Sequence, residues 1–124
     1  MSKLANPTLA KLLQSGIEYH QENRLPEAVA VYARILEIDP EHTDALHLLG
    51  LAAHQFGRNE EALKLITCAV TRRTKVAGYR NSRGVVLSSL GRTGEAVEEF
   101  RQALQLDPDC LDARINLNNH GHTL

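Results

Sequence analysis

Apolar residues recur at helical spacing along almost the whole chain, in stripes separated by short polar breaks. The first stripe is Leu9, Leu12, Leu13, Gly16, Ile17 and Tyr19, a period near 3.6 residues that predicts an amphipathic helix. Asn23-Arg24-Leu25 interrupts it, and Pro26 opens a second helix whose apolar face runs Ala28, Val29, Val31, Tyr32, Ile35, Leu36 and Ile38. Asp39-Pro40 ends that helix, because proline disfavours helical backbone at the residue before it. The pattern then replays. A helix is expected from Ala45 to Gln55, a turn at Phe56-Gly57-Arg58-Asn59, and a helix from Glu60 to about Arg73. It returns from about Tyr79 to Leu90, turns at Gly91-Arg92-Thr93-Gly94, and continues from Glu95 to Leu106, before Asp107-Pro108. A last stripe (Leu111, Ala113, Ile115, Leu117) breaks at Asn119-His120-Gly121.

The replay has a fixed period of 34 residues. Gly16, Gly50 and Gly84 keep it, as do Ala28, Ala62 and Ala96, and as do Arg24, Arg58, Arg92 with Glu27, Glu61, Glu95. A repeat of this length is one supersecondary unit stacked on itself, each unit burying its apolar face against its neighbours. A mid-helix glycine costs about 1 kcal/mol against alanine. Its recurrence implies that each first helix closely approaches its partner's backbone, with Ala28, Ala62 and Ala96 as the matching small surface.

Leu12, Gly16, Tyr19, Ala28, Tyr32 and Pro40 in the first unit resemble the tetratricopeptide repeat. So do Leu46, Leu49, Gly50 and Ala62 in the second, and Gly84, Ala96, Phe100 and Pro108 in the third. The resemblance covers roughly Leu9 to Asn119. It implies an all-α fold, an α-solenoid of three helix-turn-helix hairpins plus a C-terminal helix, coiled as a right-handed superhelix. The expected organisation is an N-terminal extension (1–8), repeats at 9–42, 43–76 and 77–110, and a terminal or capping helix of a truncated fourth repeat at 111–124. Leu49-Gly50-Leu51-Ala52, the Gly-Arg-x-x-Glu-Ala runs at Gly57 and Gly91, and Ala113-Arg114-Ile115-Asn116-Leu117 are similar to arrays in bacterial repeat proteins, including repeat-bearing glycosyltransferases.

One junction departs from the pattern. Arg73-Thr74 stands where the others have Asp-Pro, and Arg80 and Arg83 fill slots held elsewhere by Leu12 and Ser15, or Leu46 and Leu49. A buried arginine is costly unless paired or snorkelling. Either the helix entry is shifted or frayed, with Tyr79 filling the gap, or residues 71–79 form a hinge through which the preceding helix runs on and the third repeat exchanges between chains. The basic run of Arg72, Arg73, Lys75, Arg80 and Arg83, and the acidic Glu95, Glu98 and Glu99, read either as solvated faces or as a local patch for an anion or acidic partner.

The resemblance implies a concave groove lined by the first helices, and helical phase assigns its residues. Leu13, Gln14, Ile17 and His20 come from the first repeat, with Gln21 beside them. Asp44, His47, Leu48, Leu51 and His54 come from the second, with Gln55. Asn81, Ser82 and Val85 come from the third, and Asn116 from the last helix. An apolar centre with amide, hydroxyl and imidazole borders suits an extended or helical peptide. The carboxylate clamp of chaperone-binding members requires Lys, Asn and Arg at slots that here hold Leu13, Ile17, Leu48, Gly78 and Ser82. Capture of an acidic C-terminal tail by that route is not expected. The asparagine ladder of protein O-glycosyltransferases is matched at Asn116 alone; its other slots hold Gln14, Leu48 and Ser82.

Composition narrows the function further. In 124 residues of net charge −1 there is room for one unit and no global electrostatic case for nucleic acid or an anionic membrane. No apolar run approaches the roughly 18 residues of a membrane span, and the N-terminus carries no secretory pattern. A cytoplasmic protein is expected, with Cys68 and Cys110 reduced. His47 and His54 are seven residues apart, not the four of a helical metal pair, so the histidines read as groove residues that make binding pH-sensitive. No nucleophile or phosphate-loop motif appears. The expected function is therefore a non-enzymatic scaffold for a protein or peptide partner, with no cofactor and no metal. The alternatives are a recruitment region of a larger enzyme such as a bacterial glycosyltransferase, or a self-associating structural protein. An unpaired last helix, whose Leu111, Ile115 and Leu117 face must bury against the third repeat with no second helix to shield its other side, and the atypical junction motivate the last.

Overall fold

The computed structural model describes residues 7–121. Seven helices follow one another: α1 (Pro7–Gln21), α2 (Leu25–Ile38), α3 (Thr43–Gln55), α4 (Asn59–Arg72), α5 (Ala77–Ser89), α6 (Thr93–Leu106) and α7 (Leu111–Asn119). The described residues contain no strand. The starts of α3, α5 and α7 are 34 apart, as are those of α2, α4 and α6, so the sequence period is the structural period. Sequential helices pack on each other, and α3 also touches α5 and α5 touches α7. This is the all-α solenoid that the apolar stripes predict. Residues 1–6 of the expected N-terminal extension and 122–124 of the terminal segment lie outside the described residues, and α1 begins at Pro7, ahead of the expected Leu9.

Each hairpin turns on the same backbone device. Asn23, Gly57 and Gly91 all take positive φ (59°, 81° and 78°). The amide of the following arginine reaches five residues back, Arg24 to Tyr19, Arg58 to Ala53 and Arg92 to Leu87, at 2.8–2.9 Å. That closes a Schellman cap, which favours glycine and tolerates asparagine. The recurring arginine and glutamate stand at the N-cap and third position of α2, α4 and α6 and pair with each other: Arg24 with Glu27, Arg58 with Glu61, Arg92 with Glu95.

The core is three linked clusters, each centred on one hairpin and extending onto the first helix that follows it. Tyr32 and Ile35 anchor the first, Ile66 and Val86 the second, Phe100 and Leu117 the third. Leu36 packs on the first two clusters and Leu63 on the last two. The glycines have a further reason besides the one their spacing suggests. A Cβ at Gly16 would lie 2.5 Å from the Tyr32 ring, at Gly50 2.6 Å from Ile66, and at Gly84 2.5 Å from the Phe100 ring. Each first helix gives up a side chain to seat a large residue of the second, and at Gly50 the Ala62 carbonyl oxygen would also lie 3.3 Å from an added Cβ, so the expected close backbone approach is present there as well. Burying such a side chain is worth about 1.5–3 kcal/mol, which outweighs the glycine cost of about 1 kcal/mol.

The atypical junction folds like its neighbours. Arg73 is extended (φ −131°, ψ 94°), close to Asp39 (−136°, 92°) and Asp107 (−144°, 98°), and α4 stops at Arg72. The helix does not run on, and Tyr79 is buried two residues into α5. Arg80 and Arg83 converge on Glu99 of α6, at 3.5 and 3.4 Å, and Glu99 is 6% exposed. Arg83 also donates to Thr67 of α4 at 3.1 Å. Glu99 is therefore not part of a solvated acidic face. One period earlier the same three places hold Leu46, Leu49 and Leu65. Nε of Arg80 and one Glu99 carboxylate oxygen are buried without a partner, so the triad is incompletely satisfied.

Candidate partner-binding groove

The first helices α1, α3, α5 and α7 line one side of the stack, and a polar ladder with a fixed step joins them. His20 is hydrogen-bonded to Gln55, Tyr79 donates to Asp44, His47 is bonded to Ser82 at 2.7 Å, and Asn116 donates to Asn81 at 3.0 Å. Every pair is 35 residues apart, so each rung joins one residue to the counterpart, in the next repeat, of its C-terminal neighbour. His20, Asp44, His47, Asn81, Ser82 and Asn116, expected at the groove border as free partner contacts, are engaged in stacking the repeats. Gln14 donates to Glu18 on its own helix at 3.0 Å, and His54 is bonded to Asn59 at the start of α4 at 2.7 Å.

Burial changes the electrostatics of this ladder. His47 stacks near the Tyr79 ring (4.7 Å between centroids), and burial depresses its pKa from 6.5 to about 4, with Asp44 opposing the shift. It is neutral throughout the physiological range, contrary to the expectation of a pH-sensitive groove at this position. Burial, and then the bond to Asp44, push the Tyr79 hydroxyl up. His47 and His54 serve separate hydrogen bonds. Among the described residues no group of three His, Cys, Asp or Glu side chains is placed to hold a metal ion.

What the groove leaves open is apolar. A recess of about 260 Å³ is lined by Ile17, His20, Gln21, Tyr32, Leu48 and Leu51. Ile17, Leu48, Leu51 and Val85 are each half-buried. Leu13 and Leu48 pack on the first cluster, Leu51 on the second and Val85 on the third, so all contribute to stacking as well as to the groove surface. Tyr32 was not expected here. It belongs to the second helix of its repeat and reaches the groove beside Gly16, where its hydroxyl meets His20 at 3.1 Å. The signal for it is the aromatic residue sixteen positions after a repeat glycine.

Sequence comparison accords with this geometry. Models of the tetratricopeptide repeat match residues 19–67 and 77–110, the second range coinciding with the third repeat unit. The chain belongs to the tetratricopeptide-repeat family. It is 35% identical over 77 residues to the inactive TPR repeat-containing thioredoxin TTL3 of Arabidopsis thaliana, covering 62% of this chain and 11% of that protein. It is 30% identical over 86 residues to tetratricopeptide repeat protein 7A of Homo sapiens, covering 69% and 10%. The chain thus spans about a tenth of the length of these curated relatives. Among solved structures, a Thermobaculum terrenum O-GlcNAc transferase mutant matches with a TM-score of 0.92 and 29% identity, over 98% of this chain and 23% of that one. The first tetratricopeptide domain of Spaghetti (RPAP3), bound to the HSP90 peptide SRMEEVD, matches with a TM-score of 0.84 and 19% identity, over 91% and 90%. No helix among the described residues is long and apolar enough to cross a membrane.

Proposed function

We propose that the chain is a non-enzymatic interaction module that holds an extended or helical segment of a protein partner in the concave groove, with an apolar side chain anchored in the Ile17–Leu48–Leu51 recess. The observation that carries this reading is the recess itself. Around it most of the polar groove residues, Gln21 excepted, are hydrogen-bonded within the chain, which leaves apolar surface as the main means of holding a ligand. The clamp slots Leu13, Ile17, Leu48, Gly78 and Ser82 carry no cation, so the favoured ligand is not an acidic tail. A peptide-display library selected on the intact protein is expected to enrich sequences with one or two aliphatic or aromatic anchors. Leu51→Asp is expected to weaken the selected peptides by more than about 1 kcal/mol, the scale that separates anchors from rim contacts. Equal affinity for Leu51→Asp and the parent would move the site to another face.

A second reading is favoured by the likeness to the Thermobaculum terrenum O-GlcNAc transferase. Here the array serves as the recruitment region of a larger enzyme. Reading the natural transcript beyond the Leu124 codon tests it: a catalytic domain in the same frame is the expected outcome, and a stop codon there would refute it.

A further inference from the structure

The groove changes character along the stack. Two columns of first-helix positions set its floor, Ile17, Leu51, Val85 and Asn119 in one and Leu48, Ser82 and Asn116 in the other, each member 34 residues from the next. Between α1 and α3, three apolar side chains, Ile17, Leu48 and Leu51, close the recess of about 260 Å³. Between α3 and α5 the same places hold Leu51, Ser82 and Val85, and Ser82 is bonded to His47 at 2.7 Å. Between α5 and α7 they hold Val85, Asn116 and Asn119. Asn116 uses an amide N–H on Asn81, and Asn119 is exposed. The apolar lining thus falls from three side chains to two to one. Ile115 does not restore it, because its place is that of His47 and Asn81, whose bonds turn to the following repeat.

Charge is nearly absent from the same surface. Among the described residues no lysine or arginine stands at a position that helical phase assigns to the groove. Arg80 and Arg83 turn to Glu99, and Arg114 to the Pro108 carbonyl. Carboxylates at the edge of the groove include Asp44, which accepts from Tyr79, and Asp112, which is exposed. An acidic ligand would meet no cation here and would face these two aspartates.

We propose that the partner is an extended protein segment with one large apolar residue and no acidic residue in the contact. The apolar side chain fills the Ile17–Leu48–Leu51 recess, and serine, threonine, asparagine or glutamine residues lie over Val85, Asn116 and Asn119. This assignment rests on the groove being the binding face. The spacing follows from the stack, because α3 packs on α5 and α5 on α7. Packed helices lie about 8–10 Å apart, so two repeat steps span about 16–20 Å. An extended chain covers that in about six residues at roughly 3.3 Å each. It also keeps backbone N–H and C=O groups free for the polar end of the groove, where a helix has already bonded its own. With no ion pair in the contact, salt has little to screen.

A random peptide library displayed on phage and selected on the intact protein tests this. The parent is expected to enrich one large aliphatic or aromatic residue with Ser, Thr, Asn or Gln about six places away, and neither Asp nor Glu between them. The Kd of a selected peptide is expected to change less than about twofold between roughly 0.05 and 0.5 M salt. Asn119→Leu, at an exposed position, should keep the parent's circular dichroism and put an apolar side chain at the polar end. The same library is then expected to yield a second large apolar residue about six places from the first. Identical peptides from Asn119→Leu and the parent would overturn the proposal. So would two large apolar residues in the parent's peptides, a polar stretch at the helical spacing of about twelve places, or an affinity loss of about tenfold over the salt range. Leu51→Asp tells the two levels apart. Unchanged affinity would move the binding face elsewhere and overturn both, whereas weakening beside any of those results keeps the groove and overturns the graded ligand.

Discussion

At Gly84 a single hydrogen stands in for a side chain because the Phe100 ring, fully buried, occupies the space. Gly84→Ala is expected to lower stability by about 1–3 kcal/mol, the usual cost of overpacking, against a propensity gain of about 1 kcal/mol. Gly78, in the first turn of α5, has nothing within 4 Å of an added Cβ, so Gly78→Ala should stabilise by up to about 1 kcal/mol. Thermal melts of the two variants must move in opposite directions. His47 gives a second residue-scale test. Its folded pKa of about 4 lies below the unfolded 6.5, so the unfolded chain takes up the proton first. The stability this neutral imidazole contributes is complete above pH 6.5 and declines as pH falls toward 4, by at most about 1.4 kcal/mol per pH unit. Replacing it by glutamine should flatten that part of the profile, measured by urea unfolding from pH 7 to 4.

Helix by helix, the third hairpin differs from the second by exchanging Leu46, Leu49 and Leu65 for Arg80, Arg83 and Glu99. Glu99→Gln leaves two arginines without a counter-charge. Its expected cost is up to about 3 kcal/mol, the lower end for a broken buried pair because both arginines reach solvent. Transplanting the second hairpin's solution, with leucine at 80, 83 and 99 together, is expected to recover the parent's stability or exceed it, since well-packed leucines avoid the desolvation that the triad only partly offsets. A triple variant as unstable as Glu99→Gln would show that the triad fits this place better than an apolar set. The junction before α5 yields a milder test. Arg73 already has the backbone of the residues that precede Pro40 and Pro108. Thr74→Pro should therefore fold normally and gain about 0.4–1 kcal/mol by restricting the unfolded chain.

Across the whole molecule, contacts run between sequential helices and neighbouring repeats, so stability is a chain of local terms rather than one core. Hydrogen exchange on Glu99→Gln is expected to quicken in α5, α6 and α7 while α1 and α2 keep the parent's rates. Uniform quickening would mean that the ladder of 35-residue pairs makes the stack unfold as one body.

Gly16, Gly50 and Gly84, the arginine-glutamate registers and the apolar stripes determined the period, the helix order and the family by themselves. Each of these is a short-range signal: a helix face or a tight turn is decided by residues within a few positions. The roles of His20, Asp44, His47, Asn81 and Asn116 were not legible in the same way. Helical phase put them on the right side of the stack but not in their pairs, because a partner 35 residues away depends on how one repeat is offset against the next. The same holds for Arg80 and Arg83, whose counter-ion Glu99 lies on the opposing helix. The positions of groups along each helix follow from the sequence. Whether a polar group at such a position faces a ligand or another repeat was decided only by packing, since burial and hydrogen-bond geometry arise where two helices meet.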